Sequence, residues 1–143
     1  MTTSGIVDVL GGRETGGRAV RTSEELKAWI REGLPFASLE AVMERFALNR
    51  DEVSSTLDLP PRTLARRKQE RRLRPAESDR LFRLARVAAQ AVEVLGNEGK
   101  ASRWLHTPNR ALGGEPPLAL LDTDLGARQV EDVLGRIEHG VYS

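Results

Sequence analysis

The chain has 143 residues, of which 39% are hydrophobic, 30% charged and 4% aromatic, and its net charge is +1. It has no cysteine, which excludes disulfides, thiolate metal ligands and a cysteine nucleophile and suits a reducing compartment. No apolar run reaches the roughly 18 residues of a membrane span, and the N-terminus has no apolar signal-peptide region, so we predict a cytoplasmic protein without membrane contact.

The first 21 residues are rich in glycine and poor in apolar side chains. Glycine loses more backbone freedom on folding than any other residue, and few apolar groups are present to offset that cost. We therefore predict a flexible tail over residues 1–21. A helical region is expected over residues 22–75, and a second helical region over residues 76–143.

Apolar residues recur with a period near 3.6 along the first helical region, which predicts a series of helices. The spacing of Thr22 and Glu25 is typical of a capping box, and Pro35 is expected to end this first helix. Ser38 begins the next one. The pair Asn49–Glu52 caps a third and shorter helix.

Two prolines, Pro60 and Pro61, restart the chain as another helix, because proline fits the first turn of a helix but not its interior. We expect this helix to reach about Arg72. A short helix, a tight turn and a second helix form a helix-turn-helix motif, whose second helix presents its N-terminal side chains to the DNA major groove. Asp58 lies where glycine usually makes the turn, and Asp tolerates the left-handed conformation better than most residues.

A basic tract overlaps this motif. Residues 62–86 hold ten Lys and Arg against three Asp and Glu, a local charge of +7, which is the electrostatic pattern of a protein that binds a polyanion. With Leu59 and Leu64 packed inward, the side chains predicted to face the major groove are Arg62, Thr63, Arg66 and Arg67. Those expected to meet phosphates or acidic proteins are Arg71, Arg72, Arg74, Arg80, Arg83 and Arg86. Two alternatives stay open: a solvated basic helix without a partner, and a surface that docks an acidic protein without DNA.

The second half of the chain continues the helical period. A long helix is expected from Ala76 to Gly96, a short one around Ala101–Leu105, and a last one from about Asp124 to Gly140. A loop rich in proline and glycine precedes the last helix. No segment alternates as a strand does, so the predicted fold class is all-α: a helix-turn-helix bundle followed by a small helical C-terminal region.

The sequence shows no catalytic pattern. It contains no phosphate-binding glycine loop, no pair of histidines at ligand spacing and no nucleophile elbow, so we predict a protein that is not an enzyme and needs neither cofactor nor metal. His106 and His139 lie next to predicted helix ends, where a cation interacts favourably with the helix dipole. After the last helix come Val141, Tyr142 and Ser143, which either enter a partner's pocket as a plug or fold back over that helix.

Several segments, in a fixed order, resemble the Xre/MbcA/ParS antitoxin family. Together they cover roughly residues 39–143, and their combination is far more specific than a helix-turn-helix alone. The matching segments are Thr63–Arg67, Glu77–Leu81, Ala101–Leu105, Pro108–Asn109, Leu112–Leu118 and Val133–Tyr142.

Members of this family are encoded beside a toxin with a RES domain, which depletes cellular NAD. The resemblance implies an antitoxin of a type II toxin-antitoxin system that occludes the toxin's active site and represses its own operon through the helix-turn-helix. Carried over, the residues that contact the operator would be Arg62, Thr63, Arg66 and Arg67. Those at or near the toxin's entrance would be Arg136, His139, Val141, Tyr142 and Ser143.

A homodimer is expected, because a two-fold operator requires a two-fold protein and one small DNA-binding unit buries little surface. The alternative function is a stand-alone helix-turn-helix regulator whose C-terminal half dimerises or binds a small molecule. A toxin-sized reading frame beside the gene favours the antitoxin, and its absence favours the regulator.

Overall fold

A computed structural model describes residues 3–12 and 20–140 of the protein and confirms the all-α fold class. Within these residues the backbone forms two isolated antiparallel bridges, Pro35 with Arg72 and Asn109 with Glu115, and no longer strand. None of the described helices is long and apolar enough to cross a membrane. The helices are α1 (Thr3–Val9), α2 (Ser23–Glu32), α3 (Phe36–Arg45), α4 (Arg50–Leu57), α5 (Pro61–Glu70), α6 (Pro75–Leu95), α7 (Glu98–His106) and α8 (Asp124–Glu138), with 3-10 turns at Arg110–Leu112 and Pro117–Leu120.

The N-terminal segment contains a helix that the sequence analysis did not predict. In and after α1, Ile6, Val9 and Leu10 are buried, at spacings of three and four residues that place them on one helical face. α1 packs against α3 and α6. The prediction of a flexible tail is therefore wrong for this helix, because its apolar side chains offset the entropic cost. Residues 1, 2 and 13–19 of the same segment lie outside the described part of the chain.

α2 ends at Glu32 rather than at Pro35. Gly33 follows it with φ 99°, a left-handed value that favours glycine. A Cβ at this position would also collide with the carbonyl oxygen of Leu73. The two segments come this close because the Leu73 amide donates a hydrogen bond of 2.9 Å to the carbonyl of Leu34.

Two other helix ends differ from the prediction. α3 begins at Phe36 rather than at Ser38, since the Phe36 amide has a partner in the carbonyl of Arg71, at 3.1 Å. α5 ends at Glu70 rather than at about Arg72, since Arg71 takes a left-handed φ of 63°. Both ends are decided by the contact between the start of α3 and the turn from α5 to α6.

The caps of the helix-turn-helix agree with the sequence. Asn49 and Glu52 form the predicted capping box of α4: the Asn49 side chain accepts from the Glu52 amide at 2.8 Å, and the Glu52 carboxylate accepts from the Asn49 amide at 2.9 Å. Asp58 ends α4 in the left-handed conformation, with φ 51° and ψ 50°. The turn between α4 and α5 is therefore made without glycine.

α6 is the central helix of the fold. It contacts α1, α2 and α4 as well as α7 and α8. Its buried side chains include Leu81, Leu84 and Ala88, on the stripe that the sequence predicts, and Gly96 ends it with φ 108°. The buried apolar residues of the described chain form one cluster. The predicted boundary between the two helical regions, after residue 75, stays a prediction. α6 begins at this boundary, with Pro75, and belongs almost entirely to the second region.

Candidate nucleic-acid interface and C-terminal region

α4, the turn after it and α5 form a helix-turn-helix. Leu57 and Leu59, on either side of the turn, are buried. Pro61 occupies the first position of α5, where its missing amide hydrogen costs nothing. Leu64 is the one apolar side chain that α5 buries. The helix therefore lies at the surface, with most of its circumference open to solvent.

One face of α5 carries three exposed residues, Arg62, Arg66 and Gln69. Their spacings of four and three residues place them on one stripe, which we call the α5 outer face. Arg62 and Arg66 are among the predicted DNA contacts; Gln69 is not, although its position seven residues after Arg62 points to the same face. Thr63 is half-buried at the edge of this stripe. Arginine can pair with guanine O6 and N7, and glutamine with adenine N6 and N7.

Arg67 does not lie on the outer face. Its Nε and Nη2 donate to the two carboxylate oxygens of Glu77 at 2.7 and 2.9 Å, and its Nη1 donates to Glu70 at 3.0 Å. The residue is only 6% exposed. The prediction that Arg67 faces the major groove is therefore wrong. A helix turns by about 100° per residue, so Arg67 lies on the side of Leu64, three residues earlier, and not beside Arg66.

The Arg67–Glu77 pair is ionised in the folded protein. Burial disfavours the charge of Glu77, but hydrogen bonds from the Arg67 side chain and the Arg74 amide outweigh it, so the pKa of Glu77 lies below its ordinary value of 4.5. The hydrogen bond to Glu77 raises the pKa of Arg67 despite the opposing effect of burial. A charged and nearly buried pair thus joins α5 to the first turn of α6.

The basic residues that stay exposed surround α5 and the turn after it. Arg71 and Arg72, both predicted DNA contacts, are on this surface, and Nη1 of Arg72 donates to the carbonyl of Glu32 at 3.3 Å. The exposed basic residues of this region are Arg62, Arg66, Lys68, Arg71, Arg72 and Arg74. They form a cationic surface that includes the two arginines of the α5 outer face.

Three arginines of α6 have partners inside the protein instead. Arg80 donates to the last carbonyl of α4 at 3.2 Å, and Arg83 donates to two carbonyls before α8 at 3.3 and 3.2 Å. Arg86 pairs with both carboxylate oxygens of Glu131, at 3.1 and 2.9 Å. Phosphates or acidic proteins were expected as their partners; the internal contacts occupy part of each guanidinium, and the three residues are half-buried rather than exposed. The charge of the sequence tract therefore overstates the cationic surface.

α8 packs along α6, and its two glycines have different surroundings. In the first turn, a Cβ at Gly126 would collide with the carbonyl oxygen of Leu120. The Gly126 amide donates to the capping side chain of Thr123 at 3.0 Å. At Gly135, nine residues later, a Cβ would meet nothing. Only the first glycine is therefore required by packing within this chain.

The predicted toxin contacts that the structure describes lie near the end of α8. Arg136 is exposed and lines a cleft of about 370 Å³ with Asp132 and Leu112, beside the 3-10 turn Arg110–Leu112. His139 is exposed directly after the helix. The structure thus brings Arg136 and His139 to the same end of the molecule. The other predicted contacts, Val141, Tyr142 and Ser143, lie outside the described residues.

α7 connects the C-terminal region to the helix-turn-helix. The Ser102 hydroxyl donates to the carbonyl of Phe46 at 2.8 Å, and Nε2 of His106 lies 3.2 Å from a carboxylate oxygen of Glu52, the capping residue of α4. Nδ1 of His106 lies 2.7 Å from the carbonyl of Ser102. His106 therefore bridges two regions as well as lying at a helix end. No cluster of His, Asp and Glu in residues 3–12 and 20–140 could hold a metal ion.

Two family models divide the chain between them. An Antitoxin Xre-like helix-turn-helix domain matches residues 25–86, and an Antitoxin Xre/MbcA/ParS C-terminal toxin-binding domain matches residues 90–140. Antitoxin Xre of Yersinia enterocolitica is 36% identical over 116 residues, which cover 80% of this chain and 78% of that protein. Antitoxin Xre of Pseudomonas putida is 38% identical over 120 residues, which cover 81% and 72%. The chain belongs to the Xre/MbcA/ParS antitoxin family.

The protein is thus the antitoxin of a toxin-antitoxin system, with DNA and a toxin as its two classes of partner. A more distant relative, the Prs ADP-ribosylating antitoxin of Sphingobium, is 25% identical over 124 residues, which cover 80% of this chain and 78% of that protein. In the present chain, the helix-turn-helix match contains all of α5 and the Arg67–Glu77 pair. The toxin-binding match begins within α6 and includes the end of α8.

Proposed function

We propose that this cytoplasmic antitoxin neutralises a RES-domain toxin that depletes NAD, and that it represses its own operon by binding operator DNA as a homodimer. The observation that carries the proposal is the α5 outer face. Arg62, Arg66 and Gln69 are exposed on the second helix of the helix-turn-helix, and the toxin-binding region belongs to the same hydrophobic core. One small chain thereby presents one surface to nucleic acid and another to protein.

Base recognition on the operator falls to the α5 outer face, with Thr63 at its edge. Arginine and glutamine have side chains that form paired hydrogen bonds with guanine and adenine. Arg71 and Arg72, exposed in the turn after α5, contact phosphates, which position the helix without reading sequence. Two copies of α5 bind successive major grooves about 34 Å apart, which is the reason for a homodimer.

Toxin inhibition falls to the end of α8 and the residues after it. Arg136 and His139 are exposed there, and both side chains can form hydrogen bonds with a partner protein. Val141, Tyr142 and Ser143 complete the proposed contact and occlude the toxin's active site. The name of the Sphingobium relative includes ADP-ribosylation, a reaction that takes ADP-ribose from NAD, and this supports NAD as the compound that the toxin consumes.

The toxin half of the proposal is tested with the product of the neighbouring gene. The two proteins are co-expressed and purified together, and NAD consumption by the toxin is measured with and without the antitoxin. We expect a stable complex and loss of NAD consumption when the antitoxin is present. A neighbouring protein that forms no complex, or whose complex still consumes NAD at the rate of the free toxin, contradicts the proposal and favours the stand-alone regulator.

The DNA half is tested with the region upstream of the operon. Binding of the purified antitoxin to a duplex of this sequence is compared with binding to a shuffled duplex of equal composition. We expect preferential binding of the upstream sequence, a two-fold footprint, and repression of a reporter under that promoter. Equal affinity for both duplexes at physiological salt would leave only the non-specific attraction of the cationic surface and would contradict self-repression.

A further inference from the structure

We propose that Arg67 and Glu77 are positioning residues for DNA recognition. Their buried ion pair fixes the rotation of α5 about its own axis relative to α6, so that Arg62, Arg66 and Gln69 face the DNA together. The inference rests on the proposed DNA binding by α5 and goes beyond it, because it gives two residues that do not touch DNA a role in operator specificity.

α5 has few other anchors. Of its ten residues only Leu64 and Arg67 are buried. The turns at its two ends are held by the buried Leu59 and by the hydrogen bond from the Phe36 amide to the Arg71 carbonyl. Within the helix, by contrast, Leu64 makes only contacts without direction. Within α5, the ion pair of Arg67 is therefore the one contact with direction.

The ion pair has the geometry of an anchor with direction. Nε and Nη2 of Arg67 meet the two oxygens of Glu77 at 2.7 and 2.9 Å, a two-pronged contact that fixes the plane of the guanidinium as well as its distance. Nη1 of Arg67 is held by Glu70 at 3.0 Å. Every nitrogen of the guanidinium thus has a partner.

Glu77 is itself held in place. It is 7% exposed, and its Oε1 also accepts the backbone amide of Arg74 at 2.8 Å, which fixes the carboxylate to the first turn of α6. The hydroxyl of the neighbouring Ser78 accepts a hydrogen bond of 2.7 Å from the Leu34 amide. The carboxylate that orients α5 therefore belongs to a helical turn that is held by hydrogen bonds from the amides of Arg74 and Leu34.

A role in stability alone and a role in positioning have different consequences. Apolar residues of similar volume often replace a buried ion pair without loss of stability. They cannot replace the direction that the two parallel hydrogen bonds impose. A double substitution that keeps the volume and removes the direction separates the two roles.

The test uses the full-length variant Arg67→Met/Glu77→Leu, with binding measured to the upstream duplex and to a shuffled duplex. We expect preference for the upstream sequence to fall by about tenfold or more, as for the loss of a base contact. Binding to the shuffled duplex and its salt dependence should stay close to wild type, because the surface arginines remain. Neutralisation of the toxin should be unchanged, which shows that the variant is folded.

Arg67→Lys is the second variant, since it keeps the charge but not the two-pronged contact. It should also lose preference for the upstream duplex, and it replaces the double variant if that protein does not fold. Wild-type preference for the upstream duplex in a folded variant would overturn the positioning role alone. A lower salt dependence on both duplexes would also overturn it, because it indicates that Arg67 itself contacts phosphates. A wild-type antitoxin without any preference would overturn the proposed operator binding together with this inference.

Discussion

Two arginines that follow each other on α5 have opposite surroundings. Arg66 is exposed on the outer face, whereas Arg67 is 6% exposed and pairs with Glu77. The difference comes from the rotation of about 100° between successive helical residues, which moves neighbouring side chains from one face toward the other. The identity of a residue therefore says less about its role than its position relative to the buried Leu64.

Arg66→Ala tests the α5 outer face. We expect affinity for the upstream duplex to fall by about 1–3 kcal/mol, the range for one arginine that pairs with guanine. Arg128→Ala is the matched control, because Arg128 is an exposed arginine on α8 whose partner, Asp124, is 3.0 Å away in the same helix. Titrations at one salt concentration give both values. Equal affinities of the two variants would remove Arg66 from the proposed interface.

Gly126 and Gly135 are a matched pair of helical glycines. Gly126→Ala should destabilise the protein by about 1–3 kcal/mol, because the new Cβ collides with the backbone carbonyl of Leu120, which has little room to move. Gly135→Ala should stabilise it by about 0.5–1 kcal/mol, because alanine favours helix and the Cβ meets nothing. Urea unfolding followed by circular dichroism measures both. The same sign for the two variants would contradict the packing described at α8.

At the scale of elements, ion pairs add to the apolar contacts that hold helices to α6. α5 joins α6 through Arg67 and Glu77, and α8 joins α6 through Arg86 and Glu131. Each ion pair joins two helices whose relative position is set by the folded structure. Of the two pairs, only Arg67–Glu77 involves the helix of the candidate DNA interface.

The lowered pKa of Glu77 predicts a dependence of stability on pH. Its charge stabilises the folded state at pH values above the ordinary pKa of 4.5, and this contribution is lost as the pH falls through the lowered value. Glu77→Gln should cost about 3 kcal/mol at neutral pH, as expected when one partner of a buried pair is removed. The free energies of unfolding of wild type and variant should converge as the protein is acidified.

Urea unfolding at a series of pH values between neutrality and acid measures this convergence. The control is Glu24→Gln, which removes an exposed carboxylate 3.1 Å from Lys27 in α2 and should leave the stability of the protein nearly unchanged, because exposed pairs contribute little. A constant gap between wild type and Glu77→Gln over the whole range would show that the charge of Glu77 is not the stabilising feature.

At the scale of the whole molecule, one core serves two regions. α6 contacts α2 and α4 on the side of the helix-turn-helix and α7 and α8 on the side of the toxin-binding region. The exposed cations around α5 and the exposed Arg136 and His139 therefore belong to a single folded unit. Variants that disturb only a surface should affect one partner and leave the other.

Deletion of Val141, Tyr142 and Ser143 tests this separation. We expect the shortened antitoxin to unfold as wild type does and to bind the upstream duplex with unchanged affinity, while the toxin regains NAD consumption. Tyr142→Ala, which keeps the length of the chain, should release the toxin in part. Should the shortened protein still inhibit fully, these residues are not the plug, and contacts such as Arg136 must carry inhibition.

The local features of this protein were determined by its sequence. Caps, turns and helical stripes depend on residues within a few positions of one another, and so the Asn49–Glu52 box, the left-handed Asp58 and the helical end at Gly96 could all be predicted. The combination of segments that resembles the antitoxin family is also a property of the sequence, and the relatives confirm it.

The tertiary structure alone decided which charged residues face outward. Arg67 pairs with a residue ten positions away and Arg86 with one 45 positions away, and the α1 side chains are buried only because α3 and α6 cover them. Such contacts join segments whose distance in space is not encoded in any local pattern. The cationic tract was therefore visible in the sequence, but its division into residues with internal partners and residues exposed around α5 required the fold.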